Sequence, residues 1–330
     1  MRLSELLEYV VRDGGSDLHL SVGVPPIERK NGELIKISDV NLSKEILEKY
    51  SFEILKDKYE DYLTIGEMDK LYSIEGVGRY RVSIYKSRGV DSIAIRVIPS
   101  NVPTLKELNY PCIIKEFTNY KDGLILITGP TGSGKSTTMA AMINEINVNM
   151  KKHIISLEDP IEYLHINNKS IINQRQIGED TKTYYSGLRS ALREDPDVIL
   201  VGEIRDLETM SAVLLAAETG HLVISTLHTI NTYKTIDRVI NYFPYDQQLR
   251  IRNELSTVLR GVICQRLLKK RDNSGMIAAL EVMVNTPAIQ NLIREGKLHQ
   301  ILSIMETSSN YGMQTMNKAL DKIKPFIIET

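Results

Sequence analysis

The chain has 330 residues, which corresponds to about two domains at roughly 150 residues each. Hydrophobic residues make up 42% of the sequence and charged residues 25%, which is typical of a folded globular protein and excludes a disordered or collagen-like chain. The net charge is −1, so strong non-specific affinity for DNA is not expected, and we predict no direct nucleic-acid partner.

The two cysteines, Cys112 and Cys264, lie far apart and form no CxxC pair. We therefore expect neither a structural zinc site nor a disulfide framework, and two isolated thiols are typical of a reducing cytoplasm. Apolar stretches such as 124–127 fall far short of the about 20 residues that a membrane-spanning helix needs, and the charged N-terminal segment lacks the apolar core of a signal peptide. We predict a cytoplasmic protein that contacts the inner face of the cytoplasmic membrane through partners.

Residues 1–98 show the pattern of a small α+β domain. An amphipathic helix is predicted at the start, followed by a strand in DLHLSV and by a helix around residues 43–58. Residues 80–85 and 92–97 alternate between apolar and polar side chains, which indicates half-buried strands. Three prolines in PSNVPTLKELNYP predict a flexible joint, and we place the linker at residues 99–118.

From residue 119 the pattern changes to that of an α/β domain. Four apolar runs, GLILITG, HIISLED, DVILVGE and HLVISTLH, alternate with helical stretches. Buried strands that alternate with helices predict a mostly parallel sheet covered on both faces. Beyond residue 245, apolar residues recur at helical spacing, so residues 246–330 are predicted to be helical, with Asp246 as a helix cap. The residues that carry this spacing are Leu255, Val258, Leu259, Val262, Ile263 and Leu267.

A phosphate-binding loop follows the first of these strands. The segment GPTGSGKS matches the pattern GxxxxGK[ST] between a predicted strand and a predicted helix. Glycines let backbone N–H groups surround phosphates, Lys135 can reach the β- and γ-phosphates, and the Ser136 hydroxyl can ligate Mg²⁺. The alternative is a glycine-rich turn that binds nothing, which does not require the lysine. The predicted nucleotide-binding residues are Gly129, Pro130, Thr131, Gly132, Ser133, Gly134, Lys135, Ser136 and Thr137.

Acidic residues follow two further strands. Glu203 comes shortly after the run Val198–Val201, and Glu158, Asp159 and Glu162 come at the end of HIISLED and just beyond it. Strand ends in parallel sheets face the ligand crevice, where phosphoryl transfer needs a carboxylate near the metal and the attacking water. A salt-bridged structural residue or a surface charge is the alternative for each acid.

Two histidines, His221 and His228, flank the strand of HLVISTLH. Seven positions apart on a strand, they lie at opposite ends and on opposite faces, so they do not jointly bind one metal. A structural histidine is the simpler interpretation. The position of His228 after a strand in a nucleotide-binding sheet favours contact with phosphate or with a neighbouring subunit.

Four segments follow one another in the order seen in secretion ATPases of type II and type IV pilus systems: GPTGSGKSTT, SLEDPIEYLH, ALREDPDVILVGEIRDLET and AAETGHLVISTLHT. The family calls them Walker A, Asp box, atypical Walker B and His box. SDLHLSVGVPPIERKNG and GRYRVSIY extend the resemblance over nearly the whole chain. The resemblance implies a PAS-like N-terminal domain at 1–98, a RecA-like ATPase domain at 119–330, and a homo-hexameric motor that uses ATP and Mg²⁺.

Within this family the chain resembles the PilT-like retraction ATPases. It begins at the compact N-terminal domain and lacks the tetracysteine zinc segment common in assembly ATPases. Ala288–Glu295, AIQNLIRE, resembles the AIRNLIRE motif of retraction ATPases, although Gln290 replaces the family's arginine and leaves any role of that side chain open. The alternative is a helix that packs into the core through Ile289, Leu292 and Ile293.

The resemblance also implies candidate arginine fingers at Arg79, Arg81 and Arg96 of the first domain. Arg79 and Arg81 lie two positions apart on a predicted strand and therefore share a face. From that face, two guanidiniums could reach a nucleotide of the same or an adjacent subunit. A solvated strand face with arginine–acid pairs is the alternative.

In the mechanism that this resemblance implies, Glu203 acts with the water on Mg²⁺ or with the attacking water. Glu162, or otherwise Glu158, serves as general base. Nucleotide changes rotate the N-terminal domain on residues 99–111. Sequential closure around the ring turns a platform protein in the inner membrane and withdraws pilin subunits.

Residues 250–271 carry seven basic residues against Glu254 alone, a local net charge of +6. They could face an acidic partner domain or anionic lipid headgroups, or simply form a solvated helix face. Three functions stay open: a retraction motor, an assembly, secretion or DNA-uptake ATPase of the same family, and a nucleotide-switched scaffold without steady turnover.

Overall fold

The computed structural model describes residues 2–30, 32–98, 101–272 and 275–328. The chain divides into two compact units, Met1–Asn101 and Val102–Thr330. Residues 99 and 100 of the predicted linker lie outside the described residues. The linker prediction is wrong for 102–118, because Leu105, Ile114 and Phe117 are buried in the core of the second unit. Over the described ranges, no helix is long and apolar enough to cross a bilayer.

The first unit is built on an antiparallel sheet. Its described strands are β1 (Asp17–Ser21), β2 (Ile27–Lys30), β3 (Glu33–Lys36), β4 (Glu67–Ile74), β5 (Gly78–Ser87) and β6 (Val90–Ile98). They are ordered β3-β2-β1-β6-β5-β4. The helices are α1 (Leu3–Asp13), α2 (Lys44–Leu55) and α3 (Tyr59–Ile65).

Sequence periodicity explains which faces of this unit are buried. Helix α1 buries Leu3, Leu6, Leu7 and Val10, which recur at helical spacing, and Gly14 ends it in the left-handed conformation with φ +78°. On β5, Tyr80, Val82 and Ile84 alternate with polar residues and point into the same core. The amphipathic helix and the half-buried strands predicted for this region are confirmed.

The second unit is built on a larger, mostly parallel sheet. Its described strands are β7 (Gly123–Thr128), β8 (His153–Glu158), β9 (Ile171–Gln176), β10 (Val198–Val201), β11 (Leu222–Leu227), β12 (Leu259–Lys269) and β13 (Met276–Val284). They are ordered β13-β12-β7-β11-β10-β8-β9, and β13 runs antiparallel to β12. The helices are α4 (Cys112–Phe117), α5 (Lys135–Asn149), α6 (Tyr184–Ala191), α7 (Leu207–Glu218), α8 (Thr232–Ile240), α9 (Gln248–Val258), α10 (Pro287–Glu295), α11 (Ile301–Thr307) and α12 (Met316–Ile323).

Both faces of this sheet are covered. On β7, Leu124 and Leu126 enter one hydrophobic cluster, whereas Ile125 and Ile127 enter a cluster on the other face. Because a strand buried on both faces has no polar side, its sequence reads as a continuous apolar run. The four apolar runs identified in the sequence form β7, β8, β10 and β11, as predicted.

The prediction of a helical C-terminal region is wrong for residues 259–269 and 276–284. Helix α9 ends at Val258, and the chain continues as the antiparallel pair β12 and β13, which extends the sheet beyond β7. Gly261 lies on β12 where a side chain has no room, because a Cβ there would lie 2.3 Å from the ring of Phe117. Glycine is also a poor helix former, and here its lack of a side chain admits α4 against the sheet.

Candidate active site

The ends of four neighbouring parallel strands bring the predicted site residues together. The phosphate loop follows β7, His228 follows β11, Glu203 comes after β10, and the segment 158–162 begins at the end of β8. These strands are adjacent in the order β7-β11-β10-β8. Since carboxyl ends of parallel strands meet at one edge of a sheet, a single crevice collects a basic loop and several carboxylates.

The backbone of the phosphate loop is shaped by its glycines. Gly129, Gly132 and Gly134 have φ values of +146°, +76° and +86°, which other residues adopt at a cost. A Cβ on Gly129 would lie 2.4 Å from the carbonyl oxygen of Gln265, so a side chain there has no room. The loop leads directly into α5, whose first residue is Lys135. The arrangement offers backbone N–H groups and a helix N-terminus to an anion.

The ammonium of Lys135 is held over this loop. Its Nζ donates to the carbonyl oxygens of Gly129 and Pro130 at 2.9 and 3.0 Å. Burial lowers the pKa of Lys135, and the negative charges of Glu203 and Glu162 partly oppose that effect. Both carboxylates are therefore close enough to act on the charge at the phosphate loop.

Glu203 stands in a cluster of charged groups. His228 Nε2 lies 3.1 Å from Glu203 Oε2, and Arg205 forms an ion pair with the same carboxylate. Arg205 also lies 3.7 Å from Asp159. Burial on its own would raise the pKa of Glu203, but the hydrogen bonds from Arg205 and His228 outweigh it and lower this pKa. Glu203 is therefore an anion at neutral pH, available to a cation or to water.

The two candidate bases in the Asp box differ in their surroundings. Glu158 accepts hydrogen bonds from Ser156 Oγ at 2.6 Å and from Gln174 Nε2 at 3.0 Å, which hold it to its own strand and to β9. Glu162 is half-buried, and its charge acts on Lys135. A base must approach the attacking water, and this difference favours Glu162.

A set of supporting residues beneath the loop did not emerge from the sequence. Gln265 on β12 is 1% exposed and contacts Ser133, Thr138 and Tyr110 through its amide. Tyr163 of the Asp box is hydrogen-bonded to Thr137 Oγ1 at 2.9 Å. The one available signal for Gln265 was a polar residue directly after the apolar run GVIC.

His221 lies away from this crevice. It precedes β11, at the opposite end of the strand from His228, and its Nδ1 lies 3.0 Å from the carbonyl oxygen of Ala216. The contact joins the start of β11 to the end of α7, which is a structural arrangement. Sequence spacing anticipated that the two histidines separate.

The three candidate arginine fingers belong to the first unit and share one face of its sheet. Arg81 and Arg96 are cross-strand partners on β5 and β6, and Arg79 lies two residues before Arg81. Arg81 lies 3.5 Å from Asp69, and Arg96 Nε donates to Asp17 at 2.9 Å. Arg81 and Arg96 remain 44% and 69% exposed, so these surface pairs leave the guanidiniums accessible.

The basic stretch 250–271 does not form a single patch. Arg260 forms an ion pair with Asp122 near the start of β12, whereas Lys269 is the last residue of that strand. At about 3.3 Å per residue, β12 separates these charges by roughly 30 Å. The net charge of +6 is therefore divided between the two ends of β12 and helix α9.

The segment AIQNLIRE forms helix α10, which buries Ile289 and Ile293 in the core of the second unit. Gln290, at the position of the family's arginine, donates to the carbonyl oxygen of Asn285 at 3.4 Å. Packing into the core therefore explains the apolar spacing of the motif. The Gln290 side chain is hydrogen-bonded within the second unit.

Comparison with known proteins places this geometry in a family. The family model described as type II/IV secretion system protein matches residues 78–324. The chain belongs to this family. The α/β fold class and the resemblance to PilT-like secretion ATPases, both predicted from the sequence, are confirmed.

Individual members of the type II/IV secretion family align with nearly the full chain. The type IV pilus retractation ATPase PilT of Pseudomonas aeruginosa is 45% identical over 97% of this chain and 93% of its own length. The type IV pilus ATPase PilU of the same organism is 39% identical over 97% of this chain and 84% of its own length. A crystal structure of the pilus retraction motor PilT with bound ADP aligns with a TM-score of 0.92 at 44% identity, covering 100% of this chain and 95% of that one.

Proposed function

We propose that the chain is the ATPase motor of type IV pilus retraction, which withdraws pilin subunits and so drives twitching motility. The observation that carries this proposal is the crevice that joins the phosphate loop to Lys135, Glu203 and His228. It occurs in a chain that is 45% identical to a pilus retraction ATPase over 97% of its length.

The residues of the crevice divide the chemistry between them. Loop amides and Lys135 bind the ATP phosphates, because phosphate oxygens accept stronger hydrogen bonds from an ammonium than peptide carbonyls do. Glu203, held ionised by Arg205 and His228, orients water at the γ-phosphate. Glu162 accepts the proton of the attacking water.

Hard oxygen donors in the crevice suit Mg²⁺. Ser136, in the first turn of α5, would offer its hydroxyl to the ion, and the anionic Glu203 carboxylate would act on it through water. When bound, Mg²⁺ neutralises charge that develops on the phosphate oxygens.

Assembly into a homo-hexamer would let Arg79, Arg81 and Arg96 of one subunit serve a nucleotide as arginine fingers. They share a face on β5 and β6, where Arg81 and Arg96 are accessible and Arg79 is half-buried, which supports that role. Nucleotide-dependent rotation of the first unit, about its junction with the second unit at residue 101, is the proposed power stroke. It acts on an inner-membrane platform protein, which transmits it to the pilus, and the motor itself stays cytoplasmic at that membrane.

ATP turnover by the purified full chain tests the enzymatic part. Lys135→Ala should lower kcat/KM at least about 100-fold, because it removes the side-chain cation at the phosphates. Lys151→Ala, an exposed lysine beyond α5, is the matched control and should leave turnover unchanged. Absence of turnover in the wild type above the Lys135→Ala level would leave a nucleotide-switched scaffold.

Deletion of the gene in its native host separates retraction from extension. A retraction motor predicts excess surface pili without twitching, and restoration of twitching by the wild-type gene but not by the Lys135→Ala gene. Loss of surface pili would instead assign the chain to pilus assembly.

A further inference from the structure

Gln265 connects three elements beneath the phosphate loop. Its Nε2 donates to the carbonyl oxygen of Ser133 at 2.5 Å and to the Tyr110 hydroxyl at 3.4 Å. Its Oε1 accepts from Thr138 Oγ1 at 2.7 Å. The Tyr110 hydroxyl is also hydrogen-bonded to Thr138 at 2.9 Å. One buried amide on β12 thus holds the loop, the first turn of α5 and the segment before α4.

These contacts bracket the residues that face a phosphate. Ser133 and Thr138 lie on either side of Lys135 and Ser136 in the sequence. In a planar trans peptide the C=O and the following N–H point in opposite directions. Anchoring the Ser133 carbonyl on Gln265 therefore directs the Gly134 N–H to the other side of the loop, away from Gln265.

The fit around this amide is tight. Gln265 follows Cys264, which pairs with Thr128 at the end of β7, so the sheet register sets it beside the loop. A Cβ on Gly134 would lie 2.8 Å from Gln265 Nε2. The glycine that opens α5 and the glutamine on β12 are thus matched in shape as well as in hydrogen bonding.

We propose that Gln265 is a positioning residue of the nucleotide site, which fixes the Ser133–Gly134 peptide and the first turn of α5 in the geometry that binds phosphate. It acts through the loop and does not touch the nucleotide itself. The inference rests on the proposed function in that the loop binds the phosphates of ATP. A glutamine that merely satisfies buried groups is the competing explanation.

Gln265→Met keeps the length of the side chain and removes its three hydrogen bonds, to Ser133, Tyr110 and Thr138. Gln314→Met is the matched control: Gln314 is also buried, its Nε2 donates to the carbonyl oxygen of Leu280 at 2.7 Å, and its Oε1 accepts from Lys322 Nζ, so its hydrogen bonds go to residues outside the loop. Each variant leaves one backbone carbonyl without its side-chain donor, so both should lose stability in urea unfolding. Only Gln265→Met should also weaken nucleotide binding.

The measurements are ADP affinity by calorimetry and the KM and kcat for ATP, all on the full chain. Gln265→Met should weaken ADP binding about tenfold, which corresponds to ~1.4 kcal/mol, and should raise KM by a similar factor. The change in kcat should be smaller. The loop contacts phosphate in both ground and transition states, so KM carries most of the effect. Gln314→Met should keep both constants within about twofold of the wild type.

Equal ADP affinity in Gln265→Met and the wild type would overturn the proposal and leave a purely structural glutamine. Where Gln265→Met does not fold, Thr138→Val removes the donor to Gln265 Oε1, and unchanged ADP affinity and KM there would overturn the proposed role of Gln265 in the first turn of α5. ADP binding without turnover in the wild type would refute the proposed motor but not the role of Gln265, which the ADP titration still measures.

Discussion

His165, the last residue of the Asp box, occupies a site that disfavours a charged ring. Its Nδ1 is buried without a hydrogen-bond partner among the residues that the structure describes, and its backbone N–H donates to Gln174. Burial lowers the pKa of His165 to about 4. The ring is therefore neutral at pH 7.

This lowered pKa predicts a loss of stability in mild acid. The unfolded chain takes up a proton on this ring below about pH 6.5, whereas the folded chain does so only near pH 4. The free energy of unfolding should therefore fall by about 1–2 kcal/mol between pH 7.5 and 5 on account of His165. Urea unfolding at both pH values measures it.

Other ionisable groups also contribute to the pH dependence of the whole chain, so the comparison is between variants. His165→Leu should show a smaller decrease between the two pH values than the wild type, by about 1–2 kcal/mol. His299→Leu changes an exposed ring and should keep the wild-type dependence. Identical pH dependence in the wild type and His165→Leu would contradict the prediction.

Single residues of the site were predictable where a local pattern carries them. The phosphate loop has a fixed residue spacing that identifies it. His228 directly follows an apolar run and Glu203 comes shortly after another, so the predicted strand ends locate both residues. Gln265 was not predictable, because its partner Thr138 is 127 positions away and the contact depends on β12 lying beside β7. No local spacing encodes that neighbour relation.

At the scale of elements, β12 shows why helices and buried strands are confused. Its segment LRGVIC is apolar except for Arg260, since β7 and β13 flank it and both faces are covered. A short apolar run of this kind fits helical spacing as well as a buried strand. Helix α9 directly before it extends the apparent helical period past Val258, and only the pairing with β7 decides the outcome.

Glu281 on β13 joins two helices of the second unit. It is 4% exposed, and its Oε1 accepts from the backbone N–H of Thr232 at 2.8 Å, while Oε2 accepts from that of Met316 at 3.2 Å. These are the first residues of α8 and α12. One carboxylate thus meets the positive ends of two helix dipoles.

Replacing this carboxylate should destabilise both helix starts. Glu281→Gln removes the charge and turns one acceptor into a donor that faces a backbone N–H, so we expect a loss of about 1–3 kcal/mol in the free energy of unfolding. Urea unfolding measures it. Glu116→Gln on the exposed side of α4 should change stability by no more than about 0.5 kcal/mol. A loss at Glu281 no larger than at Glu116 would refute the double-capping role.

At the scale of the whole molecule, the division into two units follows the hydrophobic clusters. One cluster contains residues of the first unit, from Leu3 to Ile95, and two clusters contain residues of the second, from Leu105 to Met313. Within the described ranges, no cluster contains residues from both units. Each unit therefore buries its own core, and we expect each to fold as a separate fragment.

The division also separates nucleotide binding from the candidate arginine fingers. The loop, Gln265, Glu203 and His228 lie in the second unit, whereas Arg79, Arg81 and Arg96 lie in the first. A fragment of residues 102–330 should therefore bind ADP within about threefold of the full chain. It should hydrolyse ATP at least about 100-fold more slowly, because arginine fingers act on the transition state and less on the bound ground state.

A full-length chain with glutamine at all three arginine positions separates loss of the guanidiniums from loss of the whole unit. Its turnover should fall to about the level of the fragment, while its ADP affinity and cooperative urea unfolding persist. Full turnover in this variant but not in the fragment would assign the contribution of the first unit to assembly or mechanics. Full turnover in both would exclude any catalytic group from the first unit, and would place the whole reaction at the strand ends of the second.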